Sequence, residues 1–426
     1  MSVDLLYWVW LAECLGPASR KLPGLLARFG SAYDIYRADD EELVGFDSDG
    51  NEGLLPLADK SLERACEIVE YCSRRDIGII TFASPEYPSR LKKLQDPPAV
   101  LYYRGKLPDF NNRLCIAVVG TRKMSEYGKL AAYKIAYELT AAGALVVSGM
   151  ALGIDAMAGC GALSASGKTV AVFGCGVDRA YPSNHRRFMS HIIQNGCVIS
   201  EYPHGTEPRG CHFPQRNRII SGLCQGCLVV EADASSGAII TAKSAILQGR
   251  DVFAVPGNID SEGSVGTNEL IYEGAIPARS AKDILENYRD LYSGVLSFKR
   301  LENSQRHSDF NSARAKFYGL DYAIEQNAEK SDKAKGLHPR ETEVAAKDKA
   351  PEKSEKSEKS TPDASVINSL DEKSRRVYEV ICANDAARLD DFVAAGVETG
   401  AAMSSLTLLE IRGLISQKPG GFYVKK

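Results

Sequence analysis

The chain has 426 residues, enough for about three domains at ~150 residues each, and carries a formal net charge of -3. That balance excludes a protein that coats nucleic acid through bulk basic charge, so any nucleic-acid site must be a local patch. No run approaches the ~18 apolar positions of a membrane span, and the apolar start Leu5 to Leu11 lacks a basic lead and a small-residue cleavage site, so a soluble cytoplasmic protein is expected.

The 11 cysteines are odd in number and scattered, which is not a disulfide framework. Only Cys224 and Cys227 have metal-like spacing, and no second pair accompanies them. Buried thiols are the expectation, with no metal and no cofactor.

Residues 1–75 read as short helices: Leu5 to Leu15, Lys21 to Phe29, Tyr33 to Tyr36 and Leu62 to Ser73, punctuated by Gly16-Pro17, Pro23-Gly24 and Gly30-Ser31. Such spacing suits a helix-hairpin-helix or SAM-like module, or a bundle used for packing or dimerisation. A lead-in segment follows. From Arg113 β-rich runs alternate with helices: Leu114 to Val119, Ala144 to Ser148, Thr169 to Phe173, Cys197 to Ser200, Cys227 to Glu231 and Asp251 to Val255. Between them lie Gly128 to Ala141, Arg186 to Gln194 and Thr241 to Gln248. The alternation predicts an α/β domain over 76–292, Rossmann-like, with a doubly wound and mostly parallel sheet.

Residues 293–365 read as a charged linker. Glu325 to Asp363 holds ten acidic and nine basic residues and no aromatic, too little apolar surface to offset its ordering entropy. Residues 366–426 read as a winged helix: Asp371 to Cys382, Arg388 to Ala394 and Gly400 to Arg412 as helices, then Leu414 to Lys418 and Phe422 to Lys425 as a two-stranded wing. Eight acidic and eight basic residues cancel there, which favours contact with protein over readout of duplex DNA.

Ligands of open α/β sheets bind beyond the carboxyl ends of the strands, where the crossover direction reverses. Five strands here run into special turns: Gly120-Thr121-Arg122, Ser148 to Gly153, Gly174-Cys175-Gly176, Ser235-Ser236-Gly237 and Pro256-Gly257-Asn258. Glycine admits close backbone approach and helix starts favour anions, so these turns predict a phosphate cleft built from backbone amides. A degenerate P-loop spelling ending at Gly167-Lys168-Thr169 precedes a strand, the reverse of the required order, and no GxGxxG follows the first strand. Between Asp178 and Arg218 stand Arg179, Arg186, Arg187, Arg209, Arg216 and Arg218, interleaved with Tyr181, Tyr202 and Phe213. Cations that follow a backbone beside aromatic faces that stack bases are the means of single-strand binding.

At these residues the chain resembles the DprA (Smf) family. The resemblance lies in Val118-Val119-Gly120-Thr121-Arg122, Ser148-Gly149-Met150-Ala151-Leu152-Gly153-Ile154-Asp155, Tyr181-Pro182, Ser200-Glu201-Tyr202-Pro203, Phe213 to Leu223, Ser236-Gly237 and Ala254-Val255-Pro256-Gly257. It implies a DNA-processing protein of natural transformation, not an enzyme, that binds and protects incoming single-stranded DNA and helps load the RecA recombinase; a homodimer is expected separately, of a protein that coats strands cooperatively. It also implies that Arg122 contacts the DNA backbone, that Gly120 and Thr121 shape the turn, and that Phe213, Arg216, Asn217 and Arg218 line the cleft. Gly149, Tyr181, Tyr202, Ser236 and Gly237 complete the expected site. Ser183 stands where members often have a basic residue after Tyr-Pro, and Arg186 or Arg187 is expected to substitute; Gly159 replaces a common histidine. Asp155 is expected to order its helix start.

The alternative is a nucleotide-monophosphate phosphoribohydrolase-like enzyme of the lysine-decarboxylase-like fold. Its Pro-Gly-Gly-x-Gly-Thr-x-x-Glu signature is broken here into Pro256-Gly257-Asn258 and Gly263 to Glu269. A third reading makes the chain an adaptor acting through its winged helix.

Overall fold

In the computed structural model, the described residues are 3–44, 57–307, 372–384, 387, 391–392, 395, 397, 405–406, 409, 414–418 and 422–425. Nine strands form one sheet: β1 (Gly78–Thr81), β2 (Val100–Gly105), β3 (Cys115–Val119), β4 (Leu145–Ser148), β5 (Thr169–Phe173), β6 (Cys197–Ser200), β7 (Gly226–Val229), β8 (Asp251–Ala254) and β9 (Ile276–Pro277). All six predicted runs are strands. Only β1, β2 and β9 escaped sequence reading, all at or near the sheet edges, where the apolar run is short or broken.

The strand order is β1-β2-β6-β5-β4-β3-β7-β8-β9. Pairing from β6 through to β9 is parallel, while β1 and β2 run antiparallel to their neighbours at one edge. β3 to β7 are buried along their whole length, as expected for strands covered on both faces. Successive crossovers run outward from β3 through β4 and β5 to β6, then reverse to β7 on the other side of β3. The reversal puts the topological switch point between β3 and β7.

The helices before the sheet are α1 (Val3–Leu15), α2 (Leu22–Phe29), α3 (Ala32–Arg37), α4 (Asp40–Val44) and α5 (Glu63–Arg74). Pro23 in the first turn of α2, Gly30 at its C-cap with φ 92° and the Ser31 hydroxyl accepting from Asp34 N at 3.1 Å set these boundaries. Trp8, Val9, Trp10 and Leu11 are buried. Trp8 stacks on Phe82, just beyond β1, at 6.2 Å, so α1 packs on the sheet side of the molecule.

Within and after the sheet come α6 (Glu126–Ala141), α7 (Ile154–Ser164), α8 (Arg186–Asn195), α9 (His212–Leu223), α10 (Gly237–Leu247), α11 (Val265–Tyr272), α12 (Ala281–Leu285) and α13 (Phe298–His307). Two apolar clusters sandwich the sheet. One joins α1 to α3 and α5 to α8 and α12, with Met157, Phe188 and Ile284 among its buried residues. The other joins α9, α10 and α11 through Ile219, Leu223, Ala242 and Leu270. The chain is therefore Rossmann-like, a mostly parallel sheet with helices on both faces.

The described residues from Glu372 onward belong to a second compact unit. It contains α14 (Glu372–Asn384) and the antiparallel pair β10 (Ile415–Lys418) and β11 (Phe422–Lys425), where Ile415 pairs with Lys425. Val377, Ile381, Phe392, Leu409 and Ile415 are among its buried residues. The two strands predicted over Leu414 to Lys418 and Phe422 to Lys425 pair here. Most of the helices predicted over Arg388 to Ala394 and Gly400 to Arg412, and all of Glu325 to Asp363, lie outside the described residues.

Candidate nucleic-acid interface

A cleft of about 650 Å³ opens at the switch point. Most of its wall comes from four places: Gly120 to Lys123 after β3, Ala151 and Asp155 around the start of α7, Phe213, Pro214, Arg216 and Asn217 on α9, and Asp233, Ser235 to Ala238, Ile240 and Thr241 around the start of α10; Tyr181, Pro208 and Gly210 also reach it. The location follows from topology, because adjacent parallel strands whose crossovers leave in opposite directions cannot fill the space between their carboxyl ends.

Phe213 is the centre of the aromatic part. The Arg122 guanidinium carbon lies 5.5 Å from its ring centroid and that of Arg216 lies 6.0 Å away. Tyr181, 38% exposed, sits at 5.2 Å with a 31° tilt. Arg122 and Lys123 are exposed, whereas Arg216 is buried and donates from Nη1 to Val172 O at 2.7 Å. A buried cation held in place by a carbonyl keeps its orientation without a ligand. Arg216 Nε has no protein partner.

The backbone amides are used differently from the expectation. Thr121 N donates to Glu231 O at 2.7 Å, and Lys123 N donates to the Thr121 hydroxyl at 3.1 Å. In the β4 turn, Gly149 N and Ala151 N donate to Asp155 Oδ2 at 3.0 and 3.4 Å. Ser236 accepts from Ala238 N as the N-cap of α10. An internal carboxylate thus occupies the anion-binding turn after β4, and the attraction for a polyanion comes from the side chains of Arg122, Lys123 and Arg216. Asp155 orders its loop, in keeping with the sequence reading. Burial pushes its carboxyl above the ordinary range, and the nearby Arg216 charge pulls it back. Burial likewise lowers Arg216, against the Asp155 charge.

Gly120 permits the closest packing in the cleft wall: a Cβ there would lie 2.6 Å from Ile154 Cγ1 and 2.8 Å from Glu231 O. Gly120 and Thr121 therefore shape the turn that presents Arg122.

Of the predicted residues, Gly120, Thr121, Arg122, Tyr181, Phe213, Arg216, Asn217, Ser236 and Gly237 converge on the cleft. Gly149 lies directly behind it, against Arg216. Four others are not in its wall. Arg218 is buried, its Nη2 donating to Glu201 Oε2 at 2.5 Å and its Nη1 to Asp96 O at 2.6 Å. One position along α9 from Asn217 turns a side chain by ~100°, so Arg218 meets the core instead of the cleft. Tyr202 is buried, donates to Gln215 Oε1 at 2.8 Å and stacks on His212 at 4.4 Å. It lines a separate cavity of about 460 Å³ beside α1. Arg186 and Arg187 are exposed in the first turn of α8 and do not line the cleft, so neither stands in it for the cation expected at Ser183. The turns Gly174 to Gly176 and Pro256 to Asn258 are also absent from the wall, as is Glu269 of the enzymatic alternative.

Sequence reasoning missed Lys123 and Asp233 as wall residues. Lys123 had a signal, since it follows Arg122 directly. Asp233 had none, because an acidic residue argues against a phosphate cleft.

The family model for DNA recombination-mediator protein A matches residues 78–289, from the first residue of β1 to just past α12, and so contains every wall of the cleft. The DNA processing protein DprA of Bacillus subtilis (strain 168) is 40% identical over 210 residues, 49% of this chain and 71% of that protein. The chain belongs to the DprA (Smf) family of DNA-processing proteins. The DprA of Streptococcus pneumoniae is 43% identical over 202 residues, 47% of this chain and 71% of its own length. The X-ray structure of DprA from Streptococcus pneumoniae aligns with a TM-score of 0.56 and 33% identity, covering 66% of this chain and 97% of that one. The expected family membership and Rossmann-like sheet fold are thereby established.

Proposed function

We propose that this chain is a single-stranded DNA-binding recombination mediator that holds and protects incoming strands in natural transformation and helps load RecA. The observation that carries the reading is Phe213 flanked by the Arg122 and Arg216 guanidinium groups, with Tyr181 beside it, in an open cleft at the switch point. Bases stack on Phe213 and Tyr181 while Arg122 and Lys123 neutralise the backbone, an arrangement that reads shape and charge and needs no catalytic group. Unpaired bases can reach such rings, whereas those of a duplex are held in the stack.

Membership of the DNA-processing family supports the same role. The protein works as a cytoplasmic homodimer, and its C-terminal unit serves contacts with protein partners. Among the described residues no helix is long and apolar enough to cross a membrane, and no cluster of three metal-ligating side chains occurs.

The test is a fluorescence-anisotropy titration of labelled single-stranded and duplex oligonucleotides at two salt concentrations. The single strand binds more tightly, and its affinity falls steeply with salt because phosphate neutralisation releases counterions. Equal affinity for both forms, or binding insensitive to salt, would sink the reading.

A further inference from the structure

The cleft wall is not uniformly basic, for Asp233 lines it together with Arg122, Lys123 and Arg216. Asp233, in the turn between β7 and α10, accepts at Oδ1 from Ser235 N and from the Ser235 hydroxyl, both at 2.7 Å. These bonds hold its carboxyl below the usual carboxylate range and fix its orientation. Neither uses Oδ2. Ser236 N donates to the Asp233 carbonyl, which ties the residue to the start of α10.

Asn217 belongs to the same wall. Its Nδ2 donates to Gly237 O at 3.4 Å, which identifies Oδ1 as the remaining acceptor. Phe213 and Asn217 are four residues apart on α9 and so share one face, a turn or ~5.4 Å apart. The same wall thus carries cations and aromatic rings at Arg122, Tyr181 and Phe213 and hydrogen-bond acceptors at Asn217 and Asp233. A phosphate is repelled from the acceptors. The edge of a base stacked on Phe213 is the group that meets them, and an acceptor pair requires a donor there.

Resting on the single-strand reading above, we infer that Asp233 selects bases that carry an exocyclic amino group, so that the cleft prefers cytosine to thymine. Cytosine offers its N4 amino group to the carboxylate, whereas thymine presents O4, a second acceptor, at the equivalent position. Both pyrimidines stack and both backbones carry the same charge, so the difference between them isolates the edge contact. One charge-assisted hydrogen bond at a half-exposed position corresponds to a preference of roughly five- to tenfold.

The experiment is a competition titration of the full chain with oligo-dC and oligo-dT of equal length at neutral pH, repeated for Asp233→Asn and Asp233→Ala. The unmodified chain favours oligo-dC. Asp233→Asn keeps an acceptor for Ser235 but can present an amide donor in place of Oδ2, so it shifts the preference toward oligo-dT. Asp233→Ala brings the two affinities together, and both substitutions raise overall affinity by removing a negative charge. Equal affinities in the unmodified chain, or a preference for oligo-dC that survives both substitutions, overturns the inference while leaving single-strand binding intact. Binding of neither oligonucleotide removes the single-strand reading, and the inference with it.

Discussion

The guanidinium of Arg216 occupies the space that a side chain at Gly149 would fill: a Cβ on Gly149 would come 1.8 Å from Arg216 Nη1. The turn after β4 therefore sets where the buried cation of the cleft stands. Gly149→Ala must displace Arg216 from Val172 O or open the turn that Asp155 organises. Overpacking of this kind costs ~1–3 kcal/mol of stability. A loss of single-strand affinity that exceeds the change in melting temperature is expected, and anisotropy beside thermal unfolding measures both.

Arg122 is exposed, its cation lies over the Phe213 ring, and it reaches the buried Asp155 and Arg216 only through its charge. Arg122→Ala should leave the melting temperature unchanged, weaken oligonucleotides of every sequence alike, and reduce the slope of log affinity against log salt by about one. An unchanged isotherm would remove Arg122 from the interface.

Arg218 presents the opposite case. Its partner Glu201 keeps only 8% of its side chain exposed, and burial raises its carboxyl while the Arg218 charge lowers it. Removing the cation leaves a buried carboxylate without its counter-charge, so Arg218→Ala should destabilise the fold by ~3–5 kcal/mol in denaturant titration. Whatever fraction remains folded should bind a single strand with its cleft cations intact. Loss of affinity without loss of stability would return Arg218 to the binding surface.

His185 is buried, its Nδ1 lies 3.1 Å from Met150 O, and burial holds its pKa below the ordinary imidazole value of 6.5. The neutral ring donates that bond. A group whose folded pKa is depressed gives stability that is present above its unfolded pKa and lost as pH falls through the folded value. Stability should therefore decline below about pH 6.5, by no more than ~1.4 kcal/mol per pH unit for one proton. His185→Asn, which keeps a donor but cannot titrate, should flatten that part of the profile. Since Met150 has a φ of 54° in the turn behind the cleft, the same change also reports on how that turn is held.

The strands were legible because they are buried on both faces, and their apolar runs at β3 to β8 stand out without knowledge of their neighbours. Helices α7 and α9 were read only as motifs. In α7 nearly every residue is buried, so there is no polar stripe to reveal the period, and in α9 the charged Arg216 and Arg218 face inward. Most of the cleft residues were also legible, because glycine turns at strand ends and arginines beside aromatics are local patterns.

The amino-acid sequence by itself determined the Rossmann-like sheet, its family and the side of the sheet that carries the cleft, since each follows from local periodicity and short motifs. Tertiary structure decided which charges face a ligand. Arg216 and Arg218 are two residues apart and identical in type, yet one borders Phe213 and the other neutralises Glu201, because a helix sends positions two apart in different directions. The partners of those directions, Val172 and Asp155 for one and Glu201 and Asp96 for the other, come from distant parts of the chain.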